Sequence, residues 1–191
     1  KMESYHTGVI ASLDDGTNII QLFVSATGTV TIGGGTTAAL DQVTSYQSLP
    51  LGKWVDITAS MTVGTPTGEI RFDDVVVPSV VASSAATTVT ISGDETFYIG
   101  RNATGAYFDG KIAQVAIFNA IISDATLKTY SSQTMTGAET SCKGFWSLNN
   151  TLNDLNASAN NLTAFNSAVA TNADSPFGQD SNGVTAGTTD Y

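Results

Sequence analysis

Cysteine, histidine and positive charge are what this 191-residue chain has least of. Cys142 stands alone, so no intrachain disulfide can form. His6 is the only histidine, so Cys142 and His6 give no zinc set; a Ser–His–Asp triad would have to use His6, no G-x-S-x-G elbow occurs, and His6 reads as a surface residue. Seven Lys and Arg stand against 17 Asp and Glu, a formal net charge of −10, and the basic residues are scattered singly. Nothing here could neutralise a run of phosphates, which argues against nucleic acid as a partner. No apolar run approaches the ~20 residues of a membrane-spanning helix, and membrane insertion is not expected. Gly33-Gly34-Gly35 is followed by neither a helix nor Lys-Ser/Thr, so it reads as a loop that breaks a strand rather than a phosphate cradle.

What is present is an alternating apolar pattern on a weakly charged background. Apolar residues make up 41% and charged residues 13%, so the surface must be rich in Thr, Ser, Asn and Gly rather than in ion pairs. Thr7–Leu13 and Asn18–Ser25 flank Asp14-Asp15-Gly16-Thr17 and predict a β-hairpin. Gly28–Ile32 predicts a short strand, and Thr36–Pro50 a polar loop or irregular edge. Lys53–Met61 alternates cleanly, with Val55, Ile57, Ala59 and Met61 on one face. In Glu69–Val77, Ile70 and Phe72 point inward, Glu69 and Arg71 outward, and Asp73-Asp74 marks a bend; Pro78 ends the run.

The stretch Val89–Phe118 organises the rest. Val89–Ser92 and Thr96–Gly100 predict strands, Arg101–Gly105 a turn, and Ala106–Phe118 a long inner strand, buried on both sides late or bulged near Ala113–Gln114. Ser123–Tyr130 predicts the one helix, capped by Ser123, with Asp124 at its positive end and Leu127 and Tyr130 on its apolar face. Lys143–Leu148 and Leu162–Phe165 predict short strands, and residues 167–191 surface chain.

Three segments resemble the laminin-G-like, concanavalin A-like lectin/glucanase jelly roll. They are Leu51–Ala59 with its Gly52-Lys53-Trp54 start, Glu69–Val75, and Phe97–Gly100 continued by Phe108–Phe118 and the capped helix. The similarity covers about residues 50–130 well and 5–35 loosely. Gly144–Leu148, Asp154, Asn160–Thr163 and Pro176–Gln179 resemble that family's opening segment, displaced to the end of the chain. The expected fold is therefore all-β, a two-sheet antiparallel jelly-roll sandwich with one short helix near 123–130. Residues 1–191 would form a single β-sandwich, with 1–135 as the main body. Residues 141–191 would close that sandwich or complement a neighbouring chain by strand addition. The opening Lys1-Met2 reads as a processed product or an excerpt of a longer polypeptide.

Glucanases on this sandwich use acidic residues at period two on one strand, and none of Glu3, Glu69, Glu95 and Glu139 has an Asp two residues away. Glu69 and Asp73 are the nearest approach to a carboxylate pair, and no enzyme is expected. Exposed aromatics beside amides and carboxylates suit sugar faces. Trp54, Tyr98, Tyr107 and Trp146 are the available rings, and the resemblance implies that the tryptophans are core. Tyr107, Asp109, Arg101 and Asn102 are the expected ligand-binding residues. The resemblance also implies one structural calcium ion, with Asp154 and Asn156 as ligands; an ordinary Asx turn is the competing reading. Asp14/Asp15 and Asp94/Glu95 are weaker metal candidates. Four N-x-S/T sequons occur, at Asn102, Asn149, Asn156 and Asn161. The function these features imply is a recognition or adhesion module, extracellular or on a virion surface, with surface glycan and neighbouring protein subunits as partners and an oligomeric state.

Overall fold

The computed structural model describes residues 1–83, 89, 96–132 and 135–165. It divides into two compact units, Lys1–Lys111 and Ile112–Tyr191. The division falls inside the stretch predicted as one long strand.

The N-terminal unit is two antiparallel sheets. Strands β1 (Gly8–Asp14), β2 (Asn18–Val24), β3 (Thr29–Thr36), β4 (Ala39–Ser48), β5 (Ile57–Thr62), β6 (Thr67–Phe72), β7 (Val75–Val76), β8 (Ser79–Ala82) and β9 (Thr96–Ile99) follow in chain order. Six of them form one sheet in the order β8-β4-β3-β2-β1-β9, and β5-β6-β7 form the other. The smaller sheet packs on the β3–β4–β8 side of the larger one. Val30, Val43, Ile70, Phe72 and Val77 are buried in this unit.

Turn chemistry sets the registers. The β1–β2 hairpin turns at Asp15-Gly16-Thr17 as its composition predicts. Gly16 sits at φ 87°, and Asp14 Oδ1 accepts its amide at 2.7 Å. Asp15 accepts the amides of Thr17 at 2.8 Å and Asn18 at 2.6 Å. The Asn18 side chain and these two amides hold the Asp15 carboxyl below its ordinary range. At Asp73-Asp74 the bend is a two-residue hairpin loop with both residues at positive φ, 49° and 64°. That is the type I′ geometry whose twist matches the flanking strands.

The prediction fails at four places in this unit. Thr36–Pro50 contains β4, paired on both sides, with β3 from Ala39 opposite Thr36 to Ser48 opposite Thr29, and with β8 from Gln42 opposite Ala82 to Ser45 opposite Ser79. Asp41, Val43 and Ser45 are buried at alternating positions, and Gln42, Thr44 and Tyr46 between and after them are more exposed. The three glycines do not break a strand either, because β3 runs through them. A Cβ on Gly34 would lie 2.8 Å from Val63 Cγ2, and one on Gly68 would lie 2.9 Å from Val43 Cγ2. These glycines let the two sheets approach. The clean alternator before Met61 pairs only from Ile57 onward. Arg71, expected outward, is 6% exposed and bonds Glu69 Oε1 through Nε at 2.5 Å and the Asp74 carbonyl through Nη1 at 3.2 Å.

The C-terminal unit holds β10 (Val115–Phe118), α1 (Asp124–Ser132) and β11 (Cys142–Trp146), with β10 and β11 antiparallel. The long strand predicted from Ala106 is therefore short. Gln114 at φ 51° turns the chain just before β10, where a bulge was the alternative. The helix matches its prediction, and the Thr126 amide donates to Ser123 Oγ at 3.3 Å. Tyr130 stacks on Phe118 at 5.8 Å between ring centroids, beside buried Met135, Cys142 and Phe145. Leu162–Phe165 forms no strand. Most of Val89–Ser92, Asp94/Glu95 and Pro176–Gln179 lie outside the described residues.

Asp41 is fully buried. Its Oδ2 accepts the Gly64 amide in the β5–β6 turn at 2.8 Å, and its Oδ1 accepts Ser83 Oγ at 3.2 Å. This one carboxylate joins a strand of the larger sheet to the turn of the smaller. Asp41→Ala leaves the Gly64 amide unsatisfied, and we expect a loss of about 1–3 kcal/mol. The midpoint of urea unfolding measures it; an unchanged midpoint would remove Asp41 from the account of how the sheets are held.

Candidate functional site

The loop after β9 collects the charged and aromatic side chains predicted to bind ligand. Arg101 leaves the strand end with its guanidinium carbon 5.1 Å from the Tyr98 ring centroid and 5.6 Å from that of Tyr107. Both distances lie within cation–π range. The guanidinium is held by its own loop, since Nε donates to the Asn102 carbonyl at 2.9 Å and Nη2 to the Ala103 carbonyl at 3.3 Å. Ser12 Oγ of β1 donates to the Arg101 carbonyl at 3.3 Å. Tyr107 is 46% exposed. Its backbone is pinned beside β1 by a parallel bridge to Val9, whose amide donates to the Ala106 carbonyl at 3.2 Å. Gly8 permits this approach, because a Cβ there would stand 2.3 Å from the Tyr107 carbonyl oxygen.

Asn102 shapes the loop rather than lining it. Its Oδ1 accepts from the Thr104 amide at 3.1 Å, the Thr104 hydroxyl at 2.9 Å and the Ala106 amide at 3.0 Å. Asp109 is engaged elsewhere: its carboxylate accepts from Ser4 Oγ and its carbonyl from the Glu3 amide. Arg101, Asn102 and Tyr107 thus come together on one loop. Tyr98, left out of the expected binding set, completes the aromatic pair around Arg101. Its place on the strand immediately before the loop was the available signal.

The tryptophans differ. Trp146 is 3% exposed at the end of β11 and donates Nε1 to the Asn160 carbonyl at 2.9 Å. Trp54 precedes β5 and is half-buried, with Nε1 lacking a hydrogen-bond partner.

Asp154 and Asn156 form an Asx turn that clasps the 154–161 loop to β11. Asp154 Oδ1 accepts the amides of Phe145 and Asn156, each at 2.9 Å, and Oδ2 accepts the Asn160 amide at 3.0 Å. Asn156 Nδ2 donates to the carbonyls of Gly137 at 2.6 Å and Cys142 at 3.2 Å, and its Oδ1 accepts the Ser158 amide at 3.1 Å. Calcium needs oxygen lone pairs turned toward the ion. Here both carboxylate oxygens face backbone N–H groups, and Asn156 presents its nitrogen to the neighbouring carbonyls. As arranged, these residues do not fit the calcium ion expected at Asp154 and Asn156. At Asp14 and Asp15 the carboxylates likewise hold turn amides.

The same unit contains Cys142, whose thiol is pushed up by burial and donates to the Gly144 carbonyl at 3.5 Å. It is protonated at neutral pH, a poor state for a nucleophile. Nearby, burial opposes ionisation of Glu139. The amides of Thr136 and Gly137 and the Thr136 hydroxyl outweigh it and hold the carboxyl below its ordinary range.

Asp154→Ala frees three amides, and we expect the C-terminal unit to lose about 1.5–3 kcal/mol. Retained hydrogen-exchange protection at Phe145 and Asn160 would refute the clasp. Glu139 adds a pH dependence. A depressed carboxyl stabilises the fold fully above the unfolded value, near 4.5, and that contribution disappears as pH falls through the lower folded value. Amide protection at Thr136 and Gly137 should therefore hold at pH 5 and drop in more acidic solution; in Glu139→Gln this pH-linked drop should be absent.

Residues 1–128 match the concanavalin A-like lectin/glucanases superfamily, so the matched region includes the whole N-terminal unit, β10 and the start of α1. The aromatic segment at 144–148 and the Asp154 clasp lie beyond it. No curated protein and no solved structure matches the chain. With a family match over two thirds of its length and the two antiparallel sheets described above, the chain belongs to the concanavalin A-like lectin/glucanases superfamily.

Proposed function

We propose that this protein is a non-catalytic recognition or adhesion module that binds cell-surface carbohydrate on its Tyr98–Arg101–Tyr107 face. The observation that carries the reading is the arginine set between two tyrosine rings, one of them 46% exposed. Tyrosine offers a rigid apolar face for sugar C–H groups with a hydroxyl at its rim. The guanidinium, held by the loop carbonyls, adds a fixed positive charge beside the rings. The setting that suits such a module is an extracellular or virion assembly, such as a tail fibre or capsid decoration.

The non-catalytic half of the proposal rests on the carboxylates. Glu69 is bonded to Arg71. Asp73 lies in the β6–β7 turn with Oδ1 accepting the Asp56 amide at 2.9 Å. The pair nearest to a glycosidase arrangement is thus held by other partners, which leaves glycoside hydrolysis the weakest of the readings.

A second reading has its own observation. Among the described residues β8 is an edge strand with Val80 and Val81 exposed, and β7 is an edge strand with Val75 and Val76 exposed. Edge strands with exposed apolar side chains suit a structural subunit that packs or adds strands against neighbours.

A glycan array followed by titration separates the two. We expect the protein to bind a surface glycan and Tyr107→Ala to weaken binding roughly tenfold, ~1.4 kcal/mol. Wild-type protein that binds no glycan, yet elutes as an oligomer, would overturn the recognition reading in favour of the structural one.

A further inference from the structure

We propose that Asn102 is an acceptor for an N-linked glycan and the sequon best suited in this fold to carry one. N-linked transfer joins a sugar to the side-chain amide nitrogen of an N-x-S/T asparagine at the protein surface, so the favoured sequon leaves that nitrogen unengaged and keeps its hydroxyl beside the asparagine. At Asn102 both conditions are met in the folded chain. Oδ1 takes all three hydrogen bonds, including that from the Thr104 hydroxyl at 2.9 Å, and Nδ2 donates to none of the described residues. Ala103 and Thr104 on the same turn are exposed.

The other three sequons are placed differently. Asn156 uses Nδ2 to donate to Gly137 and Cys142 carbonyls, so a sugar there would stand against backbone. Asn149 has a buried Oδ1 without a partner. Asn161 is exposed, and its Nδ2 likewise donates to none of the described residues; it differs from Asn102 in that no bond joins it to the Thr163 hydroxyl.

The donor is a lipid-linked oligosaccharide diphosphate. Nδ2 of Asn102 forms a bond to the anomeric carbon, the bond from that carbon to the diphosphate oxygen breaks, and Nδ2 gives up one proton. The product is a secondary amide that keeps Oδ1 as the acceptor of the loop. The turn can therefore persist after modification, whereas Asn156 would lose one of its two donated hydrogen bonds.

The test is secretion of the full chain from a glycosylating eukaryotic host. Enzymatic release of the glycans in heavy-oxygen water then marks each modified site for mass spectrometry. Asn102 should be occupied in most molecules and Asn149 and Asn156 in few. Asn102→Asp retains the oxygen acceptor and should be secreted without the Asn102 mark, while Thr104→Ser, which keeps a hydroxyl, should retain it. An unmodified Asn102 in the secreted wild type, or occupancy at Asn156 or Asn161 equal to that at Asn102 or above it, would overturn the proposal.

Discussion

Backbone amides outside the ladders must find acceptors, and in this protein carboxylates and side-chain amides supply them. Asp14 and Asp15 close the first hairpin, and Asp41 joins the two sheets of the N-terminal unit. Asp73 holds the residue before β5, Glu139 closes the 136–139 turn, and Asp154 clasps the loop after β11. A buried or half-buried N–H without a partner costs about as much as a lost hydrogen bond. With seven cations against 17 carboxylates, amides rather than ammonium groups are the abundant donors. Six of the 17 carboxylates thus act as holders of loops and turns.

The same device builds the candidate site. Asn102 folds the loop on itself, and the loop carbonyls then receive the Arg101 guanidinium and aim it between Tyr98 and Tyr107. Two tyrosines nine positions apart are brought around one arginine by a turn and a bridge to β1. A rigid sheet supplies one ring and the loop supplies the other, so the proposed binding residues ride on a scaffold shaped for stability. Gly8 is part of this, since only a residue without a side chain lets the Tyr107 backbone lie so close.

Much of the fold was legible because alternation and turn composition are local. The hairpin at Asp14–Thr17, the bend at Asp73-Asp74 and the Ser123 cap all appear where their residues predict them. The failures share a cause as well. Thr36–Pro50 is too polar to read as a strand, yet two neighbours supply its ladder, and its buried positions include Asp41 and Ser45 rather than a run of apolar residues. Gly33–Gly35 reads as a breaker until the opposing sheet is seen to need the space. Arg71 reads as outward because its burial depends on Glu69 and the Asp74 carbonyl, which a turn returns to it. In each case the deciding partner is far away in sequence or across a turn.

By itself the sequence determined the class of the protein: alternating strands, one capped helix, a single cysteine that leaves no intrachain disulfide, and a resemblance that places it among concanavalin A-like folds. Those properties follow from residue type and short spacing, so they are present before folding. Tertiary structure alone decided what the polar residues do. It set Arg101 between Tyr98 and Tyr107, turned Asp109 toward Ser4, and placed three backbone amides on Asp154. A carboxylate or an amide can serve a cation, a sugar or a backbone N–H equally well on paper, and only the groups that folding brings within about 3 Å select among them.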